Sequence, residues 1–187
     1  ETTPVTLPDV PLSESDVMQS IETVQLVGGL QPDRFNVTEW MHGNLVLDGG
    51  GGADAIIVSG NDRVFYEETD EILETGNDMI TLSDTELSIL GRVDIQLNSI
   101  ERAVLFGLGG DDFLDASAFN GTTILVGGSD ADQIVPGVGT SVLLGDDPAD
   151  AAVRAGDDRF IFQEDGGENS VLIRGGEGHD TLDFSSF

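Results

Sequence analysis

The sequence contains no cysteine and no lysine, and its 187 residues include only 2 histidines. The lack of cysteine excludes disulfides, thiolate metal sites and cysteine nucleophiles. Because His42 and His179 lie far apart in the chain, we expect no histidine-rich zinc or iron site. Apolar runs all fall short of the roughly 20 residues that a membrane-spanning helix needs, so we expect no membrane insertion.

Basic residues are scarce as well. The 36 Asp and Glu residues face 7 Arg residues, which gives a formal net charge of −29 at pH 7. So negative a chain repels nucleic acid and anionic membranes unless a cation mediates, and we predict neither as a partner. A hydrophobic content of 39% nevertheless favours a folded core over disorder.

Short apolar runs alternate with Gly/Asp clusters along most of the chain. The runs, for example those at 45–47 and 124–126, have the length of a strand rather than of a helix. Segments 122–127 and 140–145 are similar position by position, and they begin one short step apart in the chain. A step of about 20 residues is typical of one coil of a solenoid with two strands and two turns.

A longer repeat aligns segment 20–22 with segment 99–101 and, without a gap, Gly28 with Gly107. This alignment predicts two repeat units within one continuous solenoid, residues 20–98 and 99–187. Residues 1–19 are rich in proline, and we predict a linker or an irregular lead-in strand there. Because the chain begins without Met and ends just after a glycine motif, we expect it to be a piece of a longer protein.

The Gly/Asp clusters share the pattern G-G-x-G-x-D-x-U-x, in which U is a large apolar residue. Segments 175–183 and 49–56 match every fixed position, 107–114 lacks only the second glycine, and 127–134 has Asp at the fourth position. Weaker half-matches begin at Gly60, Gly76 and Gly156. The number of matches favours a metal-binding function over metal-free acidic turns, because it places many carboxylates where their only neighbours are other carboxylates.

The spacing suits calcium. Glycine lets a loop adopt backbone conformations that are closed to other residues, and so turns carbonyl oxygens inward. The following Asp adds a carboxylate, and the next apolar residue starts a strand. Stacked loops then surround a cation with oxygen, and calcium accepts about six to eight oxygens at roughly 2.3 to 2.6 Å. Magnesium needs a tighter octahedron, and zinc prefers nitrogen or sulfur.

The pattern resembles the calcium-binding repeats of RTX (hemolysin-type) proteins. The resemblance implies an all-β fold, a right-handed parallel β-roll or β-helix solenoid of short strands with calcium-binding Gly/Asp turns, and several bound Ca²⁺ ions. Because segment 115–121 on the other edge lacks the motif, we expect a calcium ladder along one edge only. The metal-site residues are then Gly49, Gly51, Asp54, Asp62, Gly107, Gly109, Asp112, Gly127, Ser129, Asp130, Asp132, Asp146, Asp158, Gly175, Glu177 and Asp180.

The apolar runs supply the predicted core. Its members are Leu45, Val46, Ile56, Val104, Leu105, Ile124, Val126, Val142, Leu144, Leu172 and Leu182. We also predict that arginines tie the acidic faces of adjacent coils together.

The sequence shows no catalytic constellation, and we predict that the chain is not an enzyme. Among 36 carboxylates some acidic pairs must lie close together, so proximity alone does not identify a glycosidase. We predict a calcium-binding spacer or stalk of a large secreted or surface-attached bacterial protein such as an adhesin. It would fold when it meets calcium outside the cell, next to neighbouring repeats of the same parent chain.

Two alternatives remain open. The chain is alternatively the C-terminal calcium and secretion block, or a glycan-binding module, of a secreted hydrolase or epimerase, with Trp40 and Tyr66 as the aromatic contacts for a glycan or other cell-surface target. A β-helix lyase would need a positioned base, for which Arg159 and Arg174 are candidates by proximity in sequence alone.

Overall fold

The structure, a computed structural model, describes residues 22–38, 40, 43–60, 63–65, 72–74, 76–92, 94–149, 156–164 and 170–186. These residues form strands and turns, which confirms the predicted all-β class. Over these ranges no helix is long and apolar enough to cross a membrane. The predicted linker at residues 1–19 lies outside the described residues.

The strands form two large sheets and a small one. Nine belong to the first sheet, which in spatial order contains β1 (Thr23–Val27), β3 (Asn44–Asp48), β9 (Ile95–Asn98), β8 (Glu86–Ile89), β7 (Met79–Ser83), β11 (Phe113–Ala118), β13 (Gln133–Val135), β15 (Arg159–Gln163) and β17 (Thr181–Ser186). Six belong to the second sheet, which contains β16 (Val171–Arg174), β14 (Ser141–Leu144), β12 (Thr122–Ser129), β10 (Arg102–Gly109), β4 (Ala55–Ser59) and β2 (Arg34–Asn36). The remaining two, β5 (Arg63–Phe65) and β6 (Ile72–Glu74), pair with each other antiparallel.

From β10 to β17 the chain alternates between the six-stranded and the nine-stranded sheet. Each strand pairs in parallel with the strand two places further along the chain. Strands β1 to β4 alternate in the same way. Between these two stretches, β7, β8 and β9 form an antiparallel meander inside the nine-stranded sheet. The meander accounts for the low glycine content of its part of the sequence, because its strands do not cross between the sheets.

The core lies along columns of in-register side chains. One column runs through the nine-stranded sheet and contains Ile80, Leu114, Ile134 and Phe160, all of which are fully buried. A second column runs through the six-stranded sheet and contains Val58, Leu105, Leu125 and Leu143, which are equally buried. All eight belong to one hydrophobic cluster. The stacking of like side chains explains why a short apolar run recurs at each step of the sequence.

The predicted core is correct for some positions and wrong for others. Leu45, Ile56, Leu105 and Val126 are buried as predicted. Ile124 and Leu172, however, are 37% and 54% exposed, and four further predicted core residues are only partly buried: Val46, Val104, Val142 and Leu144. Neighbouring residues of a strand point to opposite faces, so an apolar run cannot face the core throughout. Leu182 pairs with the buried Phe160, but it is 52% exposed because it lies on the edge strand β17.

Candidate metal centre

Five aspartates form a hydrogen-bonded series at the amino ends of strands in the nine-stranded sheet. This long row contains Asp78, Asp112, Asp132, Asp158 and Asp180, which directly precede β7, β11, β13, β15 and β17. The backbone N–H of each donates to the Oδ1 atom of the next, at 2.7, 2.8, 2.9 and 3.2 Å along the row. Since the parallel strands hold the turns in register, the carboxylates follow one another at the spacing of the strands.

A second series lies at the amino ends of strands in the six-stranded sheet. This short row contains Asp33, Asp54 and Glu101, which directly precede β2, β4 and β10. Asp33 N donates to Asp54 Oδ1 at 2.7 Å, and Asp54 N donates to Glu101 Oε2 at 2.8 Å. Carboxylates thus precede strands of both large sheets, and the calcium ladder along one edge only stays a prediction. Glu101 was missed because no glycine motif precedes it; its one sequence signal is its position directly before a strand.

Several carboxylates of the two rows are buried with one oxygen unpaired. Asp54, Asp132 and Asp158 are at most 1% exposed. The Oδ2 atom of each has no hydrogen-bond partner within the described part of the chain. A buried carboxylate oxygen without a partner is costly unless a proton or a cation neutralises it.

The pKa values of two long-row carboxyl groups show the same cost of burying a negative charge. Burial raises the pKa of Asp132 to about 9, and although the N–H of Asp112 opposes the shift, repulsion from the Asp112 and Asp158 carboxylates adds to it. Burial also raises the pKa of Asp158 to about 6, with repulsion from Asp180 and Asp146 adding to the effect. Both carboxyl groups hold a proton far more tightly than an exposed aspartate does when no cation is bound.

The first glycine of each motif packs directly against the carboxylate of its own turn. A Cβ atom added to Gly127 would lie 2.1 Å from Asp132 Oδ2 and 2.7 Å from the carbonyl oxygen of Gly145. A Cβ atom on Gly145 would lie 1.9 Å from Asp158 Oδ2 and 2.2 Å from Gly175 O. Only glycine fits here, and it brings one carboxylate oxygen and one carbonyl oxygen to the same side of its Cα.

The second and fourth motif positions have a left-handed backbone. Positive φ angles occur at the second position in Gly50, Leu108, Gly128 and Gly176, and at the fourth in Gly52, Gly110, Asp130 and Gly178. Glycine adopts this region freely, and aspartate tolerates it better than most residues, which explains Asp130 with φ 72°. Leu108, with φ 85°, is the strained exception. The motif therefore specifies a backbone path as well as a set of oxygen atoms.

The structure brings most of the predicted site residues into these turns. Asp112, Asp132, Asp158 and Asp180 lie in the long row and Asp54 in the short row. The first glycines Gly107, Gly127 and Gly175 contact the carboxylates of their own turns, as does Gly49 in the short row. The backbone N–H of Gly51 donates to Gly29 O. Gly109 of β10 pairs with Ser129 of β12, and Asp62 lies outside the described residues.

Asp146 takes a different position from the other predicted carboxylates. It occupies the second motif position after Gly145, and its Oδ2 atom accepts a hydrogen bond from Glu177 N at 2.6 Å. Its Oδ1 atom is buried without a hydrogen-bond partner over the described ranges. Glu177 thus contributes its backbone N–H to this contact, and Asp146 adds a third buried acceptor near the end of the long row.

The carboxylates line up instead of clustering. The described residues contain no group of three or more His, Asp or Glu side chains that could enclose a metal ion by themselves. A cation held in a row would therefore be ligated by one or two carboxylates together with backbone carbonyl oxygens. Calcium accepts such mixed oxygen sets readily.

The other residues considered in the sequence have structural contacts. Trp40 packs against the core and its Nε1–H donates to Gly43 O at 3.1 Å, and His179 is exposed. Arg159 pairs with Asp183 on the neighbouring strand β17, which confirms for this arginine that the basic residues bridge successive steps. Hydrogen bonds from Ser185 and Arg159 lower the pKa of Asp183 to about 2. His42 and Tyr66 lie outside the described residues.

Comparison of this chain with protein-family models, with curated proteins and with solved structures gives no match. Its function must therefore be inferred from its own residues. The most informative of them are the buried carboxylates of the two rows.

Proposed function

We propose that this chain is a calcium-binding structural repeat module, a spacer or stalk of a large extracellular bacterial protein, which folds when calcium binds along its carboxylate rows. The observation that carries the proposal is the set of buried oxygens on Asp54, Asp132 and Asp158 that have no hydrogen-bond partner among the described residues. A divalent cation would satisfy these oxygens and reverse the repulsion between adjacent carboxylates.

The donor set favours calcium over other metals. The rows offer carboxylate and carbonyl oxygens, and the sequence has no cysteine at all. Hard oxygen ligands in a flexible number suit calcium, whereas zinc prefers nitrogen and sulfur. Asp112, Asp132 and Asp158 with their glycine turns would hold ions in the long row, and Asp54 with Gly49 would do so in the short row.

The finer architecture that we propose is a parallel β-roll or β-helix solenoid like that of the RTX proteins. It is supported by the parallel pairing of each strand from β10 to β15 with the strand two places on. It is also supported by the recurrence of the Gly/Asp turn at the end of β10, β12, β14 and β16. Such a stack presents one turn per step, so its ions would bind in a line.

The proposal places the protein outside the cell, where calcium is plentiful. A chain with a charge of −29 and buried carboxylate rows is poorly stable where free calcium is scarce. Calcium that binds only the folded state then supplies folding free energy after export. The absence of cysteine suits a chain that crosses membranes unfolded.

The experiment compares folding with and without the ion. Far-ultraviolet circular dichroism and thermal unfolding are measured at about 2 mM calcium, near the affinity range of extracellular sites, and again in excess EGTA. We expect the β signal to weaken and the melting temperature to fall in EGTA, and both to be restored by calcium but not by magnesium. A melting temperature that is the same in both solutions would refute the proposal.

A pair of variants tests the site itself. Asp132→Asn removes one charge from the long row with little change of shape, and Asp94→Asn removes one charge from an exposed position outside both rows. We expect Asp132→Asn to weaken calcium binding in isothermal titration calorimetry and Asp94→Asn to leave it unchanged. Equal calcium affinity of the two variants would contradict binding at the long row.

A further inference from the structure

Arg92 directs its guanidinium group at two backbone carbonyl groups. It lies between β8 and β9, and its Nη1 and Nη2 atoms donate to Thr38 O at 2.8 Å and to Gly60 O at 2.9 Å. Burial lowers the pKa of Arg92, while the attraction of Asp78 opposes that shift. A guanidinium nevertheless keeps its charge throughout the physiological range. The molecule therefore has a fixed, partly buried positive charge at this point.

The glycine that Arg92 contacts begins a regular stack. A Cβ atom added to Gly60 would lie 2.6 Å from Gly107 O, and one added to Gly107 would lie 2.5 Å from Gly127 O. Each carbonyl oxygen thus faces the glycine of the preceding step, and the stack continues in this way through Gly145 to Gly175. The oxygen of Gly60, the first member, faces Arg92 instead.

The same position is the start of the long row. Asp78 is the first carboxylate of that row, and a Cβ atom on Gly60 would lie 2.5 Å from Asp78 Oδ2. The Gly60 step therefore has the same pair of oxygens as the later steps, the Asp78 carboxylate and the carbonyl oxygen of the next glycine, Gly107, and Arg92 adds a hydrogen bond to the carbonyl oxygen of Gly60 itself. At this step the nearby positive charge is supplied by the protein itself.

We propose that Arg92 is a built-in cation that takes the place of a calcium ion at the Gly60–Asp78 step. This end of the long row then folds without calcium, whereas the later steps depend on the ion. The dependence of the later steps on calcium rests on the proposed calcium-binding function, but the role of Arg92 at its own step does not.

The distribution of the core agrees with this division. The buried hydrophobic side chains are concentrated between Val37 and Phe119 and include two from each strand of the meander β7 to β9. Beyond Phe119 the described buried hydrophobic residues are Leu125, Val126, Ile134, Val135, Leu143 and Phe160. The later steps thus have less apolar burial to offset the repulsion of their carboxylates.

Hydrogen exchange of the whole chain in EGTA tests the proposal. In the wild type we expect slow amide exchange in β4, β7 and β10 and fast exchange in β13, β15 and β17. Arg92→Gln should speed exchange in β4 and β7 by about tenfold or more, because the positive charge on Gly60 O that also attracts Asp78 is lost. Arg92→Lys keeps the charge and should stay within about threefold of the wild type. The exposed Arg102→Gln is the matched control and should behave as the wild type.

A second readout counts ions. Arg92→Gln vacates a cation position, so it should bind one calcium ion more per chain than the wild type in isothermal titration calorimetry, and Arg102→Gln should not. The proposal is overturned if Arg92→Gln exchanges like the wild type in EGTA, if Arg92→Lys is as labile as Arg92→Gln, or if the wild type binds calcium and the count does not rise in Arg92→Gln. If Arg92→Gln does not fold even with calcium, the exchange of Arg92→Lys in EGTA decides: exchange within about threefold of the wild type supports the role of the charge, and much faster exchange overturns it.

The two proposals fail in different ways. If exchange in β13, β15 and β17 of the wild type is equal in EGTA and in calcium, the proposed calcium-dependent folding is wrong. The comparison of Arg92→Gln with Arg92→Lys in β4 and β7 still judges the role of the arginine in that case.

Discussion

Lowering the pH of a calcium-free solution is expected to stabilise this protein, because Asp132 takes up a proton when the chain folds. Its pKa is about 9 in the folded state, against an ordinary value of 3.8. Between these values the folded state binds one proton more than the unfolded state. The free energy of unfolding therefore falls by about 1.4 kcal/mol for each unit of rising pH, or about 3 kcal/mol from pH 5 to pH 7.

Two other carboxyl groups set the limits of this window. Asp158, with its pKa raised to about 6, binds a second extra proton below that pH and makes the dependence steeper there. Asp183 acts in the opposite direction, because its pKa is lowered to about 2, so its contribution is lost only in strong acid. Measurements between pH 5 and pH 9 therefore isolate the raised pKa values and avoid the isoelectric region of so acidic a chain.

Calcium should abolish the dependence. A carboxylate must be deprotonated to ligate calcium, and the unfolded carboxylates are deprotonated above pH 5 as well, so stability in saturating calcium should change little with pH over the same range. The assay is urea unfolding followed by circular dichroism at each pH, with and without calcium. In calcium-free solution Asp132→Asn should flatten the slope by about one proton, or about 1.4 kcal/mol per pH unit, whereas the exposed Asp94→Asn should not. A slope unaffected by Asp132→Asn, or one that is equally steep with calcium, would refute the reasoning.

The backbone and packing of the motif give two further predictions. Gly127→Ala should destabilise the protein by about 3 kcal/mol or more, because its Cβ would lie 2.1 Å from Asp132 Oδ2. A Cβ on Gly91 would meet no described atom within 4 Å, so Gly91→Ala should cost only the roughly 1 kcal/mol of its positive φ. Leu108→Gly should change the unfolding free energy by less than about 1 kcal/mol, because relief of the left-handed backbone strain offsets the loss of the side chain. Leu172 lies on an ordinary strand, so Leu172→Gly should cost about 1 to 2 kcal/mol. Thermal or urea unfolding checks both pairs, and equal losses within either pair would contradict these assignments.

The recurrence of the motif was enough to predict the fold class and the position of the turns. The short, regular step between motifs and the length of the apolar runs specify strands and turns, since both follow from local spacing. The face of each strand was harder to assign. Leu45 and Val46 are equally apolar, yet Leu45 is buried and Val46 only partly so. Their assignment depends on which residue the preceding turn directs inward, and the motif residue Asp54 or Asp112 fixes that only at the start of a strand.

The two edges of the sheets could not be told apart in the sequence. The longer repeat aligns Gly28 with Gly107; Gly28 follows β1, Gly107 lies near the end of β10, and each precedes a row carboxylate. The preceding strands β1 and β10, however, belong to different sheets. The same local pattern occurs at either edge of the sheets. The meander β7 to β9 lies between the two repeats and determines the edge at which the second one begins. The division into units at residues 20–98 and 99–187 stays a prediction.

A chain with a charge of −29 can adopt a fold of this kind only if the negative charge at each step of a row is neutralised by a proton or a cation. Neighbouring strands are about 4.8 Å apart, and two unit charges at that distance repel by about 3.5 kcal/mol at an effective dielectric constant of 20. The three adjacent pairs among the buried members Asp78, Asp112, Asp132 and Asp158 would then cost about 10 kcal/mol, which is comparable to the whole stability of an ordinary domain. The raised pKa of Asp132 is one form of compensation, and Arg92 beside Asp78 is another. The remaining steps have carboxylate and carbonyl oxygens close together, and a bound calcium ion is the compensation that we propose for them.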